Sequence, residues 1–250
     1  MSNQSFAEKF DQVKQQGRIA LIPFLPAGFP DKTKFWEELK QLDLYGGDIL
    51  EIGVPFSDPV ADGPVIEQVS LECLNRGVDL NYIFQGLKQH SFQAKIVLMG
   101  YFNVFYQYGL DKLLEQCENT GVDGLIIPDL PLEEYQKYFP AQTQVNYIPL
   151  LGLNTSVDRM QAYACLNPPF VYFVSYLGTT GKTFKVEETL LERLKKAKTI
   201  FSCPLVLGFG ISSSNQLGPF AGLIDGVVFG TSLIKFLQQG GNAKDFLQNW

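Results

Sequence analysis

The chain reads Gly46-Gly-Asp48-Ile-Leu, a glycine turn that leads directly into apolar residues. Two later stretches repeat the pattern, Gly121-Val-Asp123-Gly-Leu and Leu223-Ile-Asp225-Gly-Val. Glycine ends a helix readily because it adopts the left-handed conformation, and an aspartate stabilises the tight turn that follows. Each stretch is therefore typical of a helix that ends just before a strand enters the core.

On either side of these turns, short runs rich in Ile, Val, Leu and Phe alternate with amphipathic stretches. Runs of this length and composition are typical of parallel strands that are buried on both faces. The eight predicted strands are Ile19–Leu25, Asp48–Ile52, Lys95–Met99, Asp123–Ile127, Val145–Leu151, Phe170–Val174, Cys203–Leu207 and Asp225–Phe229.

Helical patterns separate the runs. Ser5 and Glu8 fit a capping box, so a helix is predicted to open the chain, with apolar residues at helical spacing behind the cap. The other helical candidates include Lys32–Leu44, Leu110–Thr120, Ser156–Leu166, Val186–Thr199 and Ser232–Gln239.

Eight alternations of strand and helix in 250 residues, without a linker-like change of composition, favour the α/β class. The specific prediction is one (β/α)₈ TIM barrel domain over residues 1–250, with an extra N-terminal helix. An open, doubly wound parallel sheet is the alternative that the pattern leaves open.

Charge and composition exclude several classes of function. The chain has 20 Lys and Arg against 26 Asp and Glu, with no basic block, which disfavours nucleic acid as a partner. The stretch 160–181 carries no charge, but Gln161, Ser175 and the Asn167-Pro-Pro169 break make it a poor membrane span. We interpret it as a loop and a core strand.

The few histidines and cysteines limit which side chains could bind a metal or catalyse a reaction. The four cysteines are far apart and no CxxC occurs, which indicates reduced thiols in a cytoplasmic protein rather than a metal site. His90 is the single histidine, so a multi-histidine metal site is excluded and a Ser-His-Asp triad is disfavoured. Acid–base chemistry then falls to Asp, Glu, Tyr, Lys or Cys.

Two carboxylates stand out near the second predicted strand. Glu51 lies inside an apolar strand, where restricted hydration raises a carboxyl pKa and makes the group a candidate proton donor or acceptor. Asp62 ends a Pro- and Gly-rich loop that could fold over the barrel mouth. Structural roles are the alternatives, namely a buried carboxylate with a fixed partner for Glu51 and a simple turn residue for Asp62.

Glycine turns follow the last two predicted strands, at Gly208-Phe-Gly210 and Gly230-Thr231. Barrels often bind phosphate at these two loops, through main-chain N–H groups at a helix N-terminus. Glycines used only for tight turns are the alternative. The stretch Gly178–Thr183 resembles the end of a Walker A loop, but Tyr176 stands where the first glycine of that motif belongs.

One long stretch resembles a known family. Residues 50–64 read Leu-Glu-Ile-Gly-Val-Pro-Phe-Ser-Asp-Pro-Val-Ala-Asp-Gly-Pro, which is similar to the signature of the tryptophan synthase alpha chain. Further matches occur in register at Val97–Asn103, Gly121–Gly124, Pro128–Glu134 and Gly208–Ser212.

This resemblance implies a (β/α)₈ lyase that cleaves indole-3-glycerol phosphate to indole and glyceraldehyde 3-phosphate. It implies no cofactor in this chain, and an αββα assembly in which a pyridoxal-phosphate β chain receives the indole. The stretches Pro55–Asp62 and Gly100–Tyr108 are the candidate β-chain contacts.

The resemblance also assigns roles to residues. Glu51 is expected to be the acid–base catalyst and Asp62 its partner at the indole N–H, with Thr180 meeting the Asp62 loop when the site closes. The other expected substrate contacts are Tyr172 and Phe209, and the expected phosphate contacts are Gly181, Gly210, Gly230 and Thr231.

Three loops at the predicted catalytic face depart from the family pattern, at Gly28–Pro30, Leu153–Asn154 and Tyr176–Gly181. Because loop closure can limit turnover, a second hypothesis remains open: a weak or inactive alpha chain that acts as a regulatory subunit of the β chain. Another phosphate-binding barrel enzyme, such as a phosphoribosyl-anthranilate-like isomerase, is a third alternative that the 50–64 match disfavours.

Overall fold

The computed structural model describes residues 4–140, 143–174, 188–208, 210–248 and 250. Its strands all run parallel and pair in the order β5-β4-β3-β2-β1-β9-β8-β7-β6. The strands are β1 (Ala20–Pro26), β2 (Ile49–Gly53), β3 (Lys95–Met99), β4 (Val122–Ile126), β5 (Asn146–Tyr147), β6 (Leu150–Gly152), β7 (Val171–Val174), β8 (Leu205–Gly208) and β9 (Gly226–Phe229).

The fifth predicted strand carries both ends of this sheet. It forms two short strands, β5 paired with β4 and β6 paired with β7, on either side of Ile148-Pro149. Ile148 N donates to Leu125 O (3.0 Å), whereas Pro149 O accepts from Tyr172 N (3.0 Å). The sheet therefore closes on itself, so the barrel prediction is confirmed and the open-sheet alternative is wrong.

Helices surround the barrel on its outer side. They are α1 (Phe6–Gln15), α2 (Lys34–Tyr45), α3 (Pro64–Asn75), α4 (Leu80–Gln89), α5 (Phe102–Tyr108), α6 (Leu110–Thr120), α7 (Leu132–Tyr138), α8 (Val157–Ala164), α9 (Glu188–Ile200), α10 (Thr231–Gln238) and α11 (Ala243–Leu247). The predicted N-terminal helix is confirmed as α1, and both halves of its capping box are formed by Ser5 and Glu8.

The interpretation of residues 160–181 needs one correction. Met160 and the four residues after it belong to α8, whose buried face includes Met160 and Tyr163, so the stretch begins in a helix and not in a loop. A loop and then β7 follow, and residues 175–181 lie outside the described part of the chain. Within the described ranges, no helix is long and apolar enough to cross a bilayer.

The repeated aspartate at the N-terminal end of a strand has a common structural role. Asp48 accepts from Leu21 N on the neighbouring strand (2.9 Å) and pairs with Arg18 (2.6 Å). In the same way, Asp123 accepts from Ile96 N on β3 and pairs with Lys95, and Asp225 accepts from Leu205 N on β8 and pairs with Lys198. A carboxylate that binds a main-chain N–H and a cation together fixes where each strand starts.

Alternation along the strands then decides which side chains enter the barrel. Glu51 lies in register with Phe24 on β1 and Val97 on β3. Side chains two residues apart point to the same face, so Gly53 and Met99 follow on that face, one step nearer to the C-terminal mouth. This register places the only charged residue of β2 inside the barrel.

Candidate active site

A cavity of about 250 Å³ opens at the C-terminal ends of the strands. This is the end at which barrel enzymes hold their catalytic groups. Its lining includes Phe24, Glu51, Asp62, Ile66, Met99, Tyr172, Gly210, Ile211, Ser212, Val228, Phe229, Gly230, Thr231, Ser232 and Lys235.

Glu51 is the carboxyl group at the base of this cavity. Its side chain is 1% exposed, and neither carboxyl oxygen has a hydrogen-bond partner among the described residues. Loss of hydration, with a smaller contribution from the charge of Asp62, raises the pKa of Glu51 to about 8. The group is therefore protonated at neutral pH and carries no permanent ion pair in the described structure.

Asp62 faces the same cavity from the loop between β2 and α3. Its main-chain N–H donates to Pro59 O (2.9 Å), and its Oδ2 accepts from the Tyr101 hydroxyl (2.9 Å). Burial raises the pKa of Asp62 to about 6, although the Tyr101 hydrogen bond lowers it and Glu67 raises it further. At neutral pH, Asp62 is ionised while Glu51 is protonated.

Tyr172 on β7 contributes an aromatic wall. The residue is 4% exposed, and burial together with the charges of Glu51 and Asp62 raises the pKa of its hydroxyl. A Cβ at Gly208 would lie 2.0 Å from the Tyr172 ring, so only glycine on β8 leaves room for that ring.

Phe24 is a lining residue that the sequence reasoning missed. Its ring occupies the space above two glycines, because a Cβ at Gly53 or Gly230 would come within 2.6–2.7 Å of it. Phe24, Met99 and Val228 are apolar residues in apolar strands, and nothing in their local sequence shows which of them reach the mouth. Strand alternation is the only signal that points to them.

The part of the cavity lined by residues 210 and 230–232 is suited to an anion. Gly230 and Thr231 line the cavity where α10 begins, and Gly210 lines it in the loop after β8. Main-chain N–H groups at a helix N-terminus attract phosphate. Ser232 adds a buried hydroxyl without a partner in the described structure, and Lys235 adds a cationic side chain. Neither residue was among the predicted contacts.

Three predicted site residues lie outside the described residues, namely Thr180, Gly181 and Phe209. The same holds for the stretch Gly178–Thr183, which bears Thr180, and for the altered residue Tyr176. The described structure therefore brings together Glu51, Asp62, Tyr172, Gly210, Gly230 and Thr231 at one cavity.

The altered loop after β1 is packed into the protein. Gly28 has φ +81°, and a Cβ there would lie 2.4 Å from Val78 Cγ2, so glycine is required. Phe29, where the family pattern has a polar residue, is 3% exposed. After β6, Leu153 O accepts from Arg193 Nε on α9 (3.0 Å). The fold thus accommodates the departure at Phe29, and the loop after β6 is joined to α9 through the Leu153 carbonyl oxygen.

The barrel is closed and parallel, and its mouth holds a buried, protonated glutamic acid, an aspartate and the N-terminus of a helix. These features define a (β/α)₈-barrel enzyme that uses acid–base catalysis. Among the described residues, no cluster of His, Cys, Asp and Glu is arranged to hold a metal ion. The carboxyl pair and the fold indicate the class, and the relatives identify the family.

The family model for the tryptophan synthase alpha chain matches residues 10–249. The tryptophan synthase alpha chain of Solidesulfovibrio magneticus is 49% identical and aligns over 100% of this chain and 99% of its own length. That of Maridesulfovibrio salexigens is 45% identical over the whole of both chains. This chain belongs to the tryptophan synthase alpha chain family.

Solved structures agree with this assignment. Tryptophan synthase from M. tuberculosis, in its open form with BRD0059 bound, superimposes with a TM-score of 0.87 at 27% identity, covering 98% of this chain and 97% of that chain. The tryptophan synthase complex from Pyrococcus furiosus gives a TM-score of 0.80 at 31% identity, covering 92% and 94% of the two chains. The TIM-barrel fold is therefore shared along nearly the whole chain.

Proposed function

We propose that this chain is a carbon–carbon lyase that cleaves indole-3-glycerol phosphate to indole and glyceraldehyde 3-phosphate. The observation that carries the proposal is the fully buried carboxyl group of Glu51, which has no hydrogen-bond partner among the described residues and lies in a cavity that Asp62 also lines. Family membership indicates the substrate, and the burial of Glu51 and the position of Asp62 at the same cavity support the roles proposed for them.

The first step is protonation of the indole ring. Glu51, protonated at neutral pH, donates its proton to indole C3, and the C2–C3 π electrons form the new C3–H bond. Positive charge then develops on the ring nitrogen. The Asp62 carboxylate accepts a hydrogen bond from the indole N–H and stabilises this charge more in the transition state than in the ground state.

The second step breaks the carbon–carbon bond. The ionised Glu51 removes the proton from the side-chain hydroxyl next to the ring, and that oxygen becomes the aldehyde oxygen of glyceraldehyde 3-phosphate. The electrons of the broken bond return to the ring and restore the indole C2–C3 double bond. Glu51 ends protonated, as it began, so one carboxyl group performs both proton transfers.

The remaining residues orient the substrate. Gly210, Gly230 and Thr231 would hold the phosphate, and Tyr172 and Phe209 would contact the indole end. Thr180 and Gly181 would complete the site when the loop that bears them closes. Substrate fixed at both ends places the reacting carbon beside Glu51, which lowers the entropic part of the barrier.

The decisive experiment measures indole release from indole-3-glycerol phosphate by the purified chain, alone and with its cognate β chain. Release in either case supports the lyase. Release in neither case, with stimulation of the β reaction, would instead identify a regulatory subunit. The intact Glu51 and Asp62 pair favours the first outcome.

The expected partner is a tryptophan synthase β chain in an αββα assembly, with pyridoxal phosphate on that chain and no cofactor in this one. A groove of about 490 Å³ supports this, because both candidate contact stretches line it, through Pro55, Phe56 and Ser57 on one side and Val104, Gln107 and Tyr108 on the other. Neighbouring Tyr106 is 52% exposed.

The domain organisation and the compartment complete the proposal. Residues 1–250 would form a single barrel domain, because every described strand joins one sheet and the family match spans residues 10–249. A cytoplasmic location is supported by the free thiols, of which Cys73 and Cys117 are buried.

A further inference from the structure

We propose that Tyr101 is the positioning residue for Asp62: its hydroxyl group holds the loop between β2 and α3 and orients the carboxylate towards the cavity. This inference rests on the proposed function, since it assigns to Asp62 the task of stabilising charge on the substrate. Tyr101 does not line the main cavity, so it acts through Asp62 and not on the substrate itself.

The Tyr101 hydroxyl makes two hydrogen bonds to consecutive residues of the loop. It donates to Asp62 Oδ2 (2.9 Å) and accepts from the Ala61 main-chain N–H (2.9 Å). The hydrogen bond that the hydroxyl donates fixes the Asp62 carboxylate. The hydrogen bond that it accepts fixes the main chain just before Asp62. Ala61 is exposed and Asp62 half-buried, so few other contacts define this end of the loop.

Tyr101 itself is held firmly. It is 3% exposed, and its ring stacks on Phe56 at a centroid distance of 5.1 Å. The next residue, Phe102, donates its main-chain N–H to Asp129 Oδ1 (2.8 Å). Phe56 is in turn fixed by Ser70, which bonds both its main-chain N–H and its carbonyl oxygen (2.9 and 3.0 Å). The Tyr101 hydroxyl group is therefore held in place, and its hydrogen bonds position the loop that carries Asp62.

The hydrogen bond also controls charge. Burial and the charge of Asp62 raise the pKa of Tyr101, so the hydroxyl stays protonated and donates. Besides burial, the hydrogen bond from Tyr101 on the β3–α5 corner and the charge of Glu67 on α3 shift the pKa of Asp62. The other titratable groups that line the cavity with Asp62 are Glu51, Tyr172 and Lys235. Tyr101 alone donates a hydrogen bond to the carboxylate among the described contacts, and it favours the ionised form against burial and Glu67.

The test compares the wild-type chain with Tyr101→Phe, which keeps the ring but removes the hydroxyl. We expect kcat/KM for indole-3-glycerol phosphate to fall about 10- to 100-fold, mostly through kcat, because a small misplacement of a charge-stabilising group is costly. We also expect the acidic limb of the pH profile to move upward by roughly 0.5 to 1 pH unit. A direct titration of the Asp62 carboxyl carbon by NMR, assigned with Asp62→Asn, should show the same displacement without relying on activity.

Tyr45→Phe is the matched control. Tyr45 is 46% exposed at the end of α2, on the face of the barrel opposite the mouth, so its loss of a hydroxyl should change neither the rate nor the Asp62 titration. An active Tyr101→Phe variant with wild-type kcat/KM and an unmoved Asp62 titration would overturn the positioning role. If the wild-type chain itself released no indole, the proposed function would fail, while the NMR titration would still test the Tyr101–Asp62 interaction.

Discussion

Asp62 raises the proton affinity of Glu51 across the cavity that both residues line. Burial is the larger cause for each group, and it leaves Glu51 with a pKa of about 8 and Asp62 with a pKa of about 6. Between those values one carboxyl group carries a proton and the other a charge. Their different surroundings thus make one carboxyl group a proton donor and the other a negative charge.

The first prediction concerns pH. The reaction requires protonated Glu51 and ionised Asp62, so kcat/KM should rise as the pH increases through about 6 and fall as it increases through about 8. The measurement is the pH dependence of indole release at low substrate concentration. A rate that keeps increasing from pH 8 to pH 10 would show that Glu51 does not act as the acid.

The second prediction concerns Glu51→Gln. Because the amide cannot transfer a proton to indole C3, turnover should fall by at least ~10²–10⁴-fold with the fold unchanged. The matched control is Glu38→Gln, a second buried glutamate, which accepts from Ala243 N (2.6 Å) between α2 and α11, far from the cavity. Turnover that is equal in the two variants would remove Glu51 from the catalytic role.

The third prediction concerns the proposed phosphate contacts at the start of α10. Thr231→Asp places a negative charge at the first residue of α10, where it should weaken binding of glycerol phosphate at least about tenfold through charge repulsion. The helix itself should not be destabilised, because an acidic residue is favourable at a helix N-terminus. Calorimetric titration measures the affinity, and Ser202→Asp, an exposed site before β8 at the opposite end of the barrel, is the control. Unchanged affinity in Thr231→Asp would place the phosphate elsewhere.

The fourth prediction concerns Gly208→Ala. The added methyl group would overlap the Tyr172 ring, so the ring must move into the cavity or the strands must separate. We expect a loss of about 1–3 kcal/mol in the free energy of unfolding and a raised KM. Denaturant unfolding and steady-state kinetics measure the two effects. Gly218→Ala, where a Cβ meets nothing within 4 Å, should leave both unchanged, and equal stability of the two variants would contradict the crowding argument.

The sequence allowed most of the barrel to be predicted, because strands buried on both faces leave unbroken apolar runs. The strand boundaries lay within a few residues of those observed, and the repeated aspartates lie where these strands begin and bond to the main chain of a neighbouring strand. The division of Val145–Leu151 into β5 and β6 was missed. Its centre holds Pro149, which has no N–H to donate, but a proline alone does not show that the two halves pair with different neighbours.

Part of the candidate site was predictable from glycine turns and from the family resemblance, which pointed to Gly210, Gly230 and Thr231 and to Tyr172. A charged residue within an apolar strand drew attention to Glu51, whereas Phe24 and Met99 carried no such signal. The contact between Tyr101 and Asp62 joins residues 39 positions apart, and no local pattern indicates it. Pairings of this kind depend on which strand corners meet in the closed barrel, so they emerge only from the tertiary structure.

The divided fifth strand has a consequence for association between chains. An open parallel sheet exposes a row of unpaired main-chain groups at each border, and such a border is a template on which another chain can add a strand. Here β5 and β6 occupy both borders with consecutive residues of a single segment, so that segment joins the two borders to each other. Cleavage of the chain between β4 and β7 would separate the two borders of the sheet. Each fragment would then have an unpaired strand edge that the intact, closed barrel does not expose.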